Sequence, residues 1–279
     1  MMLPISYATY ITSKNNETLK WLASLGEKKY REESQSFLLC GEKLVKEAAK
    51  SQVEITHLVV REDKENLLLW VRMYMLDHPK TQVLVLSPAC FSKITEEKSP
   101  QGIAAVAKYL DFSKYYYIIY KENFENEDLG GVIFLDGIQD PGNLGAILRS
   151  AAAFGVSHVI LSEDCVDIYH PRVLRSAMGA VFHLKVWRTG DLLSAVRALQ
   201  GVGRRVFSAE LRSHAIPVDQ ANLTSLDAIV IGNEGHGISR EISLVSDGSI
   251  YLPISEDIES LNASVAASLL IWEQMKNKS

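Results

Sequence analysis

FLDGIQDPGNLGAILRSAAAFG, residues 134–155, contains an apolar run that stops at Asp136, a turn, and a helical pattern that begins after Pro141. Asp140-Pro141-Gly142-Asn143 is an explicit turn signal: the Asp is competent to cap a helix, the Pro has a fixed φ, and Gly and Asn tolerate positive φ. Beyond it Leu144, Ile147, Leu148 and Ala151 recur at helical spacing, while Arg149 leaves the same helix on another face. Strand, turn and helix in succession predict an α/β unit. They also place an amide, Asn143, and a cation, Arg149, near a strand's carboxyl end, where open α/β sheets gather ligands. The plain alternative is a mere connection, with Asn143 capping backbone and Arg149 solvated.

Outward from this stretch the alternation continues. Apolar runs at 132–135, 158–161, 184–187, 206–209, 228–231 and 250–252, with helical patterns between most of them, predict a parallel sheet covered on both faces. The run Ala228-Ile229-Val230-Ile231 leads into Gly232-Asn233-Glu234-Gly235-His236-Gly237, a glycine-rich bend with exposed backbone amides. Its G-x-x-G-x-G order is not the dinucleotide fingerprint, and GxxxxGK[ST] is missing from the chain. A third stretch holds Tyr251-Leu252-Pro253-Ile254, a polar loop, and then Ser260, placed to cap a helix whose Val265, Leu269 and Trp272 form an apolar stripe.

The amino-terminal third reads as an α/β unit of its own. A mildly basic amphipathic helix is expected over 10–31, with Leu19, Leu22 and Leu25 on its stripe, followed by a strand at 37–40 and a break at Gly41. A helix at 42–50, a strand at 57–60, a helix at 67–76, a strand at 83–86, a Ser87-capped helix at 88–94 and a strand at 103–107 complete it. Between Tyr109 and Gly130 the period is lost, and Tyr115, Tyr116, Tyr117 and Tyr120 precede a polar run. Aromatic rings offer platforms for base stacking, but an edge strand beside a linker is the favoured reading. The organisation expected is 1–110, a linker at 111–130, and a second domain at 131–279.

At 279 residues and 47% hydrophobic content the chain buries a sizeable core in one or two domains. A net charge of −5 gives no global basic field, so a nucleic-acid partner needs a local patch. Arg172, Arg175, Lys185, Arg188, Arg197, Arg204, Arg205 and Arg212 offer one for phosphate. Cys40, Cys90 and Cys165 are far apart without a CxxC pair, and no His falls at HxxxH spacing, so neither a disulfide framework nor a metal is expected. No export signal or membrane span is legible, which fits a reducing cytoplasm.

Taken together, NLGAILRSAAAFG, IGNEGHGIS and LPISEDIESLNASVAAS, in this order and spacing, resemble the three signature motifs of the SpoU/TrmH branch of the SPOUT RNA methyltransferases. The resemblance spans about residues 131–275, and the amino-terminal third, from FLLCGEKLVKEA to QGIAAVA, is similar to the family's substrate-binding domain. It implies an α/β protein with a SPOUT-type parallel sheet and a carboxy-terminal trefoil knot, plus a smaller amino-terminal α/β substrate-binding domain. It also implies S-adenosylmethionine as cofactor, methyl transfer to a ribose 2′-hydroxyl of ribosomal or transfer RNA, and a homodimer that binds RNA without a metal or a membrane. Ribosomal (23S) RNA is preferred, because the two-domain arrangement resembles the family's ribosomal members.

Residue by residue, the resemblance makes Asn143, Arg149, Glu234, Ser260 and Asn262 the catalytic positions. Gly232, Asn233, Leu252, Ile254 and Leu261, with Ser208, become the cofactor-binding positions. A guanidinium is a poor base, so for Arg149 charge stabilisation and phosphate positioning are preferred to proton abstraction. Leu252-Pro253-Ile254 stands where Ile-Pro-Met is commoner in the family, and the 255–259 loop is acidic. A non-catalytic RNA-binding module is the competing class, and the joint retention of Asn143, Arg149, Glu234 and Asn262 argues against it.

Overall fold

A computed structural model describes residues 8–51, 53–111, 130–255, 257–258 and 260–276. The tyrosine-rich stretch and most of the linker expected at 111–130 lie outside the described residues. Two compact units emerge, Met1–Leu110 with Tyr169–Arg175, and Asp111–Ile168 with Ser176–Ser279.

The first unit runs β1 (Thr9–Ile11), α1 (Glu17–Ser24), α2 (Lys28–Ser34), β2 (Ser36–Cys40), α3 (Glu42–Lys50), β3 (Ile55–Arg61), α4 (Glu65–Asp77), β4 (Gln82–Leu86), α5 (Pro88–Phe91) and β5 (Ile103–Lys108). Its five-stranded sheet has the order β1-β4-β3-β5-β2. The first three strands are parallel and β5 is antiparallel to both its neighbours. The helix expected over 10–31 is divided. Residues 9–11 pair with Leu84, Val85 and Leu86, so ladder bonds override the helical period there. Asn16 Oδ1 then starts α1 by accepting from Leu19 N at 3.2 Å. Arg31, read as part of a basic face, is buried and donates to the carbonyls of Leu25 (3.0 Å) and Gly26 (2.8 Å). Ser87 caps a helix of four residues rather than the seven expected.

The chain continues with β6 (Gly131–Asp136), α6 (Pro141–Phe154), β7 (Val156–Ser162), α7 (Pro171–Ala177), β8 (Lys185–Thr189), α8 (Leu192–Gly201), β9 (Val206–Ala209), β10 (Ile216–Pro217), β11 (Ala228–Gly232), α9 (Arg240–Val245), β12 (Gly248–Tyr251) and α10 (Ala263–Met275). The seven-stranded sheet has the order β10-β12-β9-β11-β6-β7-β8, with every pairing parallel, as the apolar runs predicted. Only the two-residue edge strand β10 escaped the sequence pattern. Successive strand residues face opposite sides, and both sides are filled. Val132, Phe134, Ala228 and Val230 pack with Leu192, Val196, Leu199 and Ile242 of α8 and α9. Ile133 and Leu135 are buried on the other face, where α6 and α10 pack together against β7 and β11. Among the described residues no helix is long and apolar enough to cross a membrane.

The last helix differs from expectation in two ways. Its cap is Asn262, whose Oδ1 accepts from Ser264 N (3.0 Å) and Val265 N (3.4 Å), and Ser260 lies outside the helix. Its core-facing residues are Ala267, Leu270, Ile271, Gln274 and Met275, while Val265, Leu269 and Trp272 are 49%, 46% and 50% exposed. A helix apolar on nearly every side carries no period from which to choose its buried face. Gln274 is fully buried and donates from Nε2 to the carbonyls of Val132 (3.2 Å) and Asp227 (2.7 Å), fastening the helix end to the start of β6 and the residue preceding β11. Gln274→Ala leaves both carbonyls without that donor, and thermal or urea unfolding is expected to show a loss of about 1–3 kcal/mol. Wild-type stability in that variant would show that the two bonds do not hold the helix in place.

Candidate active site

The site is built where β6, β9, β11 and β12 end. At the end of β6, Asp136 Oδ2 accepts from Ser239 N (2.8 Å), and Gly137, at φ +71°, turns the chain. The positive φ therefore falls at Gly137 rather than at Gly142 or Asn143, which belong to the first turn of α6. Asp140 caps that turn by accepting from Asn143 N at 2.8 Å, with Pro141 at the first helical position.

After β11 the glycine-rich bend closes on itself. Asn233 N donates to Gly237 O (3.0 Å), and Gly237 N returns a bond to Asn233 O (2.9 Å). The Asn233 side chain accepts from Gly235 N (2.8 Å) and His236 N (3.1 Å) and donates to Gly137 O (2.6 Å), joining this bend to the turn after β6. A Cβ on Gly232 would stand 2.4 Å from the carbonyl carbon of Gly237, so the bend closes only because residue 232 has none.

The three motifs meet in one chain of hydrogen bonds. Asn262 Nδ2 donates to Asn143 Oδ1 (3.1 Å), and Asn143 Nδ2 donates to Glu234 Oε1 (2.5 Å). Both amide orientations are determined by the ends of this chain. A carboxylate only accepts and backbone N–H groups only donate, so Asn143 must present its nitrogen to Glu234, and Asn262 must present its oxygen to the helix.

Beside this relay lies a cavity of about 470 Å³. Gly232, Asn233, Glu234, Leu252, Ile254, Ser260, Leu261 and Asn262 line it, all of them named by the sequence motifs. Ala209, Glu210, Leu211, Tyr251, Ala266 and Leu270 also line it and were missed. Strand ends were the available signal for the first three, since ligand crevices open beyond the carboxyl ends of parallel strands. Three expected residues are not in the lining, and Asn143 reaches it only through its bonds to Glu234 and Asn262. Ser208 is fully buried in β9, with its hydroxyl 3.4 Å from Gly248 O and 3.0 Å from Ser249 Oγ, and does not line the cavity. Arg149 is exposed, six residues and about 9 Å of helix rise beyond Asn143, and is not in the lining.

Four of the eight residues expected to form a phosphate patch make internal contacts. Arg188 donates to the carbonyls of Glu163 and Val166, Arg204 to Gly130 O, Arg205 to the Asp227 carboxylate, and Arg212 pairs with Glu210. The Asp227 carboxylate pushes the Arg205 guanidinium pKa up. Burial likewise pushes the Cys165 thiol up, so it is inert as a nucleophile. Among the described residues no group of His, Cys, Asp or Glu side chains could hold a metal ion.

The SpoU rRNA methylase family model matches residues 131–272, and the MRM3-like substrate binding domain matches residues 16–105. A 23S rRNA (guanosine(2553)-2′-O)-methyltransferase of Bacillus subtilis (strain 168) is 32% identical over 268 residues, covering 94% of this chain and 97% of the relative. The AdoMet-bound rRNA methyltransferase of Sinorhizobium meliloti superposes with a TM-score of 0.83 at 25% identity, over 98% of this chain and 100% of the other. A TrmH-family protein of Porphyromonas gingivalis gives 0.76 at 29% identity, over 93% and 97%. The chain belongs to the SpoU rRNA methylase family, and is an S-adenosylmethionine-dependent RNA 2′-O-ribose methyltransferase.

Gly232→Ala tests the bend directly. Its methyl group meets backbone rather than a movable side chain, so a loss of about 1–3 kcal/mol in unfolding free energy is expected, together with loss of S-adenosylmethionine uptake by calorimetry. Wild-type uptake would show that the cavity does not depend on the closed bend.

Proposed function

We propose that this enzyme methylates a ribose 2′-hydroxyl of 23S ribosomal RNA in the cytoplasm, with residues 1–110 holding RNA, 111–130 linking, and 131–279 carrying the reaction. The observation that carries the reading is the Asn262–Asn143–Glu234 relay at the wall of the cavity, which joins three distant motifs in one place. The ribosomal substrate is supported by the Bacillus subtilis relative, whose named substrate is 23S rRNA.

The residues present suit the cofactor. Ile231, Ile250, Leu252, Leu261 and Leu270 offer apolar walls to an adenine ring, and Gly232, without a side chain, lets the ring approach the backbone. Ile254 and Ser260 complete the rim. When bound, S-adenosylmethionine supplies an electrophilic methyl group on a sulfonium.

The chain's own residues then have to position the ribose and stabilise the charge that develops as its hydroxyl loses a proton. Glu234 fixes the Asn143 amide, which orients the ribose beside the cavity. Arg149 holds the neighbouring phosphate and the developing oxyanion, a role that suits a permanently charged fork of donors. Within one chain Arg149 lies outside the cavity, and a second copy provides the way to bring a guanidinium to it. Ser150, beside Arg149, is 2.7 Å from Ser268 of α10, and that helix exposes Val265, Leu269 and Trp272. An apolar stripe of this kind is suited to covering by a homodimer partner. The carboxy-terminal trefoil knot is proposed from the family alone; Gln274 brings the last helix back to the start of β6 and the foot of β11.

Arg149→Ala is expected to retain S-adenosylmethionine binding while methyl transfer to 23S RNA falls by about 10²–10³-fold. Calorimetry and mapping of 2′-O-methyl sites measure the two effects. Wild-type turnover removes Arg149 from the mechanism, and absence of cofactor uptake by the wild type overturns the reading of the cavity.

A further inference from the structure

Glu210 follows the last residue of β9 and lines the cavity, yet none of the three motifs contains it. Its backbone N donates to Ile250 O (3.0 Å), extending the β9–β12 ladder by one bond. Its carboxylate is held from behind. Ser243 Oγ donates to Oε1, Ser249 Oγ approaches the same oxygen at 3.5 Å, and Arg212 Nε lies 3.0 Å from Oε2. Ser208, which does not reach the cavity, acts one step further back through its 3.0 Å contact with Ser249.

An ionised carboxylate has about four acceptor positions, and these three donors leave Oε2 with room for another. The side chain is 17% exposed, so its orientation is set by protein rather than by water. Glu234, the other carboxylate in the lining, is occupied by Asn143. Glu210 thus stands as a pre-oriented acceptor in a cavity with both polar and apolar walls.

Its position narrows what it accepts. It lies just past the carboxyl end of a parallel strand, with the glycine bend after β11 on one side and Tyr251, which ends β12, and Leu252 on the other. In α/β nucleotide sites a carboxylate near the strand ends takes a ribose hydroxyl, a donor for which the remaining lone pair of Oε2 is a matching acceptor. We propose that Glu210 accepts a hydrogen bond from the vicinal hydroxyls of the cofactor's ribose, and that this bond makes the cavity select a ribonucleoside over its deoxy counterparts. The inference rests on the reading of the cavity as the S-adenosylmethionine site. Arg212, Ser243 and Ser249 are positioning residues for the carboxylate.

The test is calorimetric titration of the full chain with S-adenosylhomocysteine and with its 2′-deoxy and 3′-deoxy analogues, using wild type, Glu210→Ala and Glu210→Gln. The wild type is expected to bind the parent about ten- to hundredfold more tightly than at least one deoxy analogue, the range for a hydrogen bond to a charged acceptor. Glu210→Ala is expected to bind all three alike. Glu210→Gln, whose amide oxygen still accepts, is expected to keep a reduced preference. Equal binding of the three ligands by wild type overturns the proposal without recourse to any variant, and so does an undiminished preference in either variant. If Glu210→Ala fails to fold, Glu210→Gln decides. Failure of wild type to take up the parent compound overturns the cofactor reading itself and the proposal with it, whereas uptake without discrimination overturns the proposal alone.

Discussion

A carboxylate at one end and the first free amides of a helix at the other determine how the two asparagines between them must point. That constraint, running from Glu234 through Asn143 to Asn262 and into the start of α10, is what turns three separate loops into one site. Each member also serves local structure. Asn262 is the cap of its helix, Asn143 lies in the first turn of α6, and Glu234 is in the bend that only Gly232 permits. A change at any one of them disturbs both a fold element and the reacting geometry, so structure and chemistry are coupled at these positions.

The sheet supplies the rest. Seven parallel strands direct their carboxyl ends to one edge, and the cavity opens where β9, β11 and β12 finish. The helix α10 closes its far wall through Ala263, Ala266 and Leu270, while Gln274 at its other end is bonded to the carbonyls of Val132 and Asp227. The same helix presents Val265, Leu269 and Trp272 outward. It is therefore a wall of the site on one side and an exposed apolar stripe on the other, so it lacks a clearly polar face.

Much of this was legible in the residues. The apolar runs gave the strands of the large sheet because buried parallel strands are apolar on both faces, and twelve of the lining residues fall within motifs visible in the chain. What was not legible depended on tertiary contacts. Ser260 and Asn262 are both competent caps, and the helix begins at Ala263 with Asn262 accepting from its first amides while its Nδ2 also reaches Asn143. Residues 9–11 look helical until β4 offers them a ladder. Arg188, Arg204, Arg205 and Arg212 look free for phosphate until the carbonyls and carboxylates beside them are seen. The resemblance assigns Ser208 to the cofactor, but Ser208 is buried within β9 against Ser249, and Glu210, past the end of the strand, occupies the cavity wall.

The central claim is that the three motifs make one cofactor cavity whose reacting edge is the asparagine relay. A crystal structure of the full chain with S-adenosylmethionine tests it most directly. The account predicts the adenine between Leu252 and Leu261, against the backbone of Gly232, with the sulfonium methyl directed toward Asn143. Cofactor bound at another place on the chain, or bound here with its methyl group turned away from the relay, would contradict it.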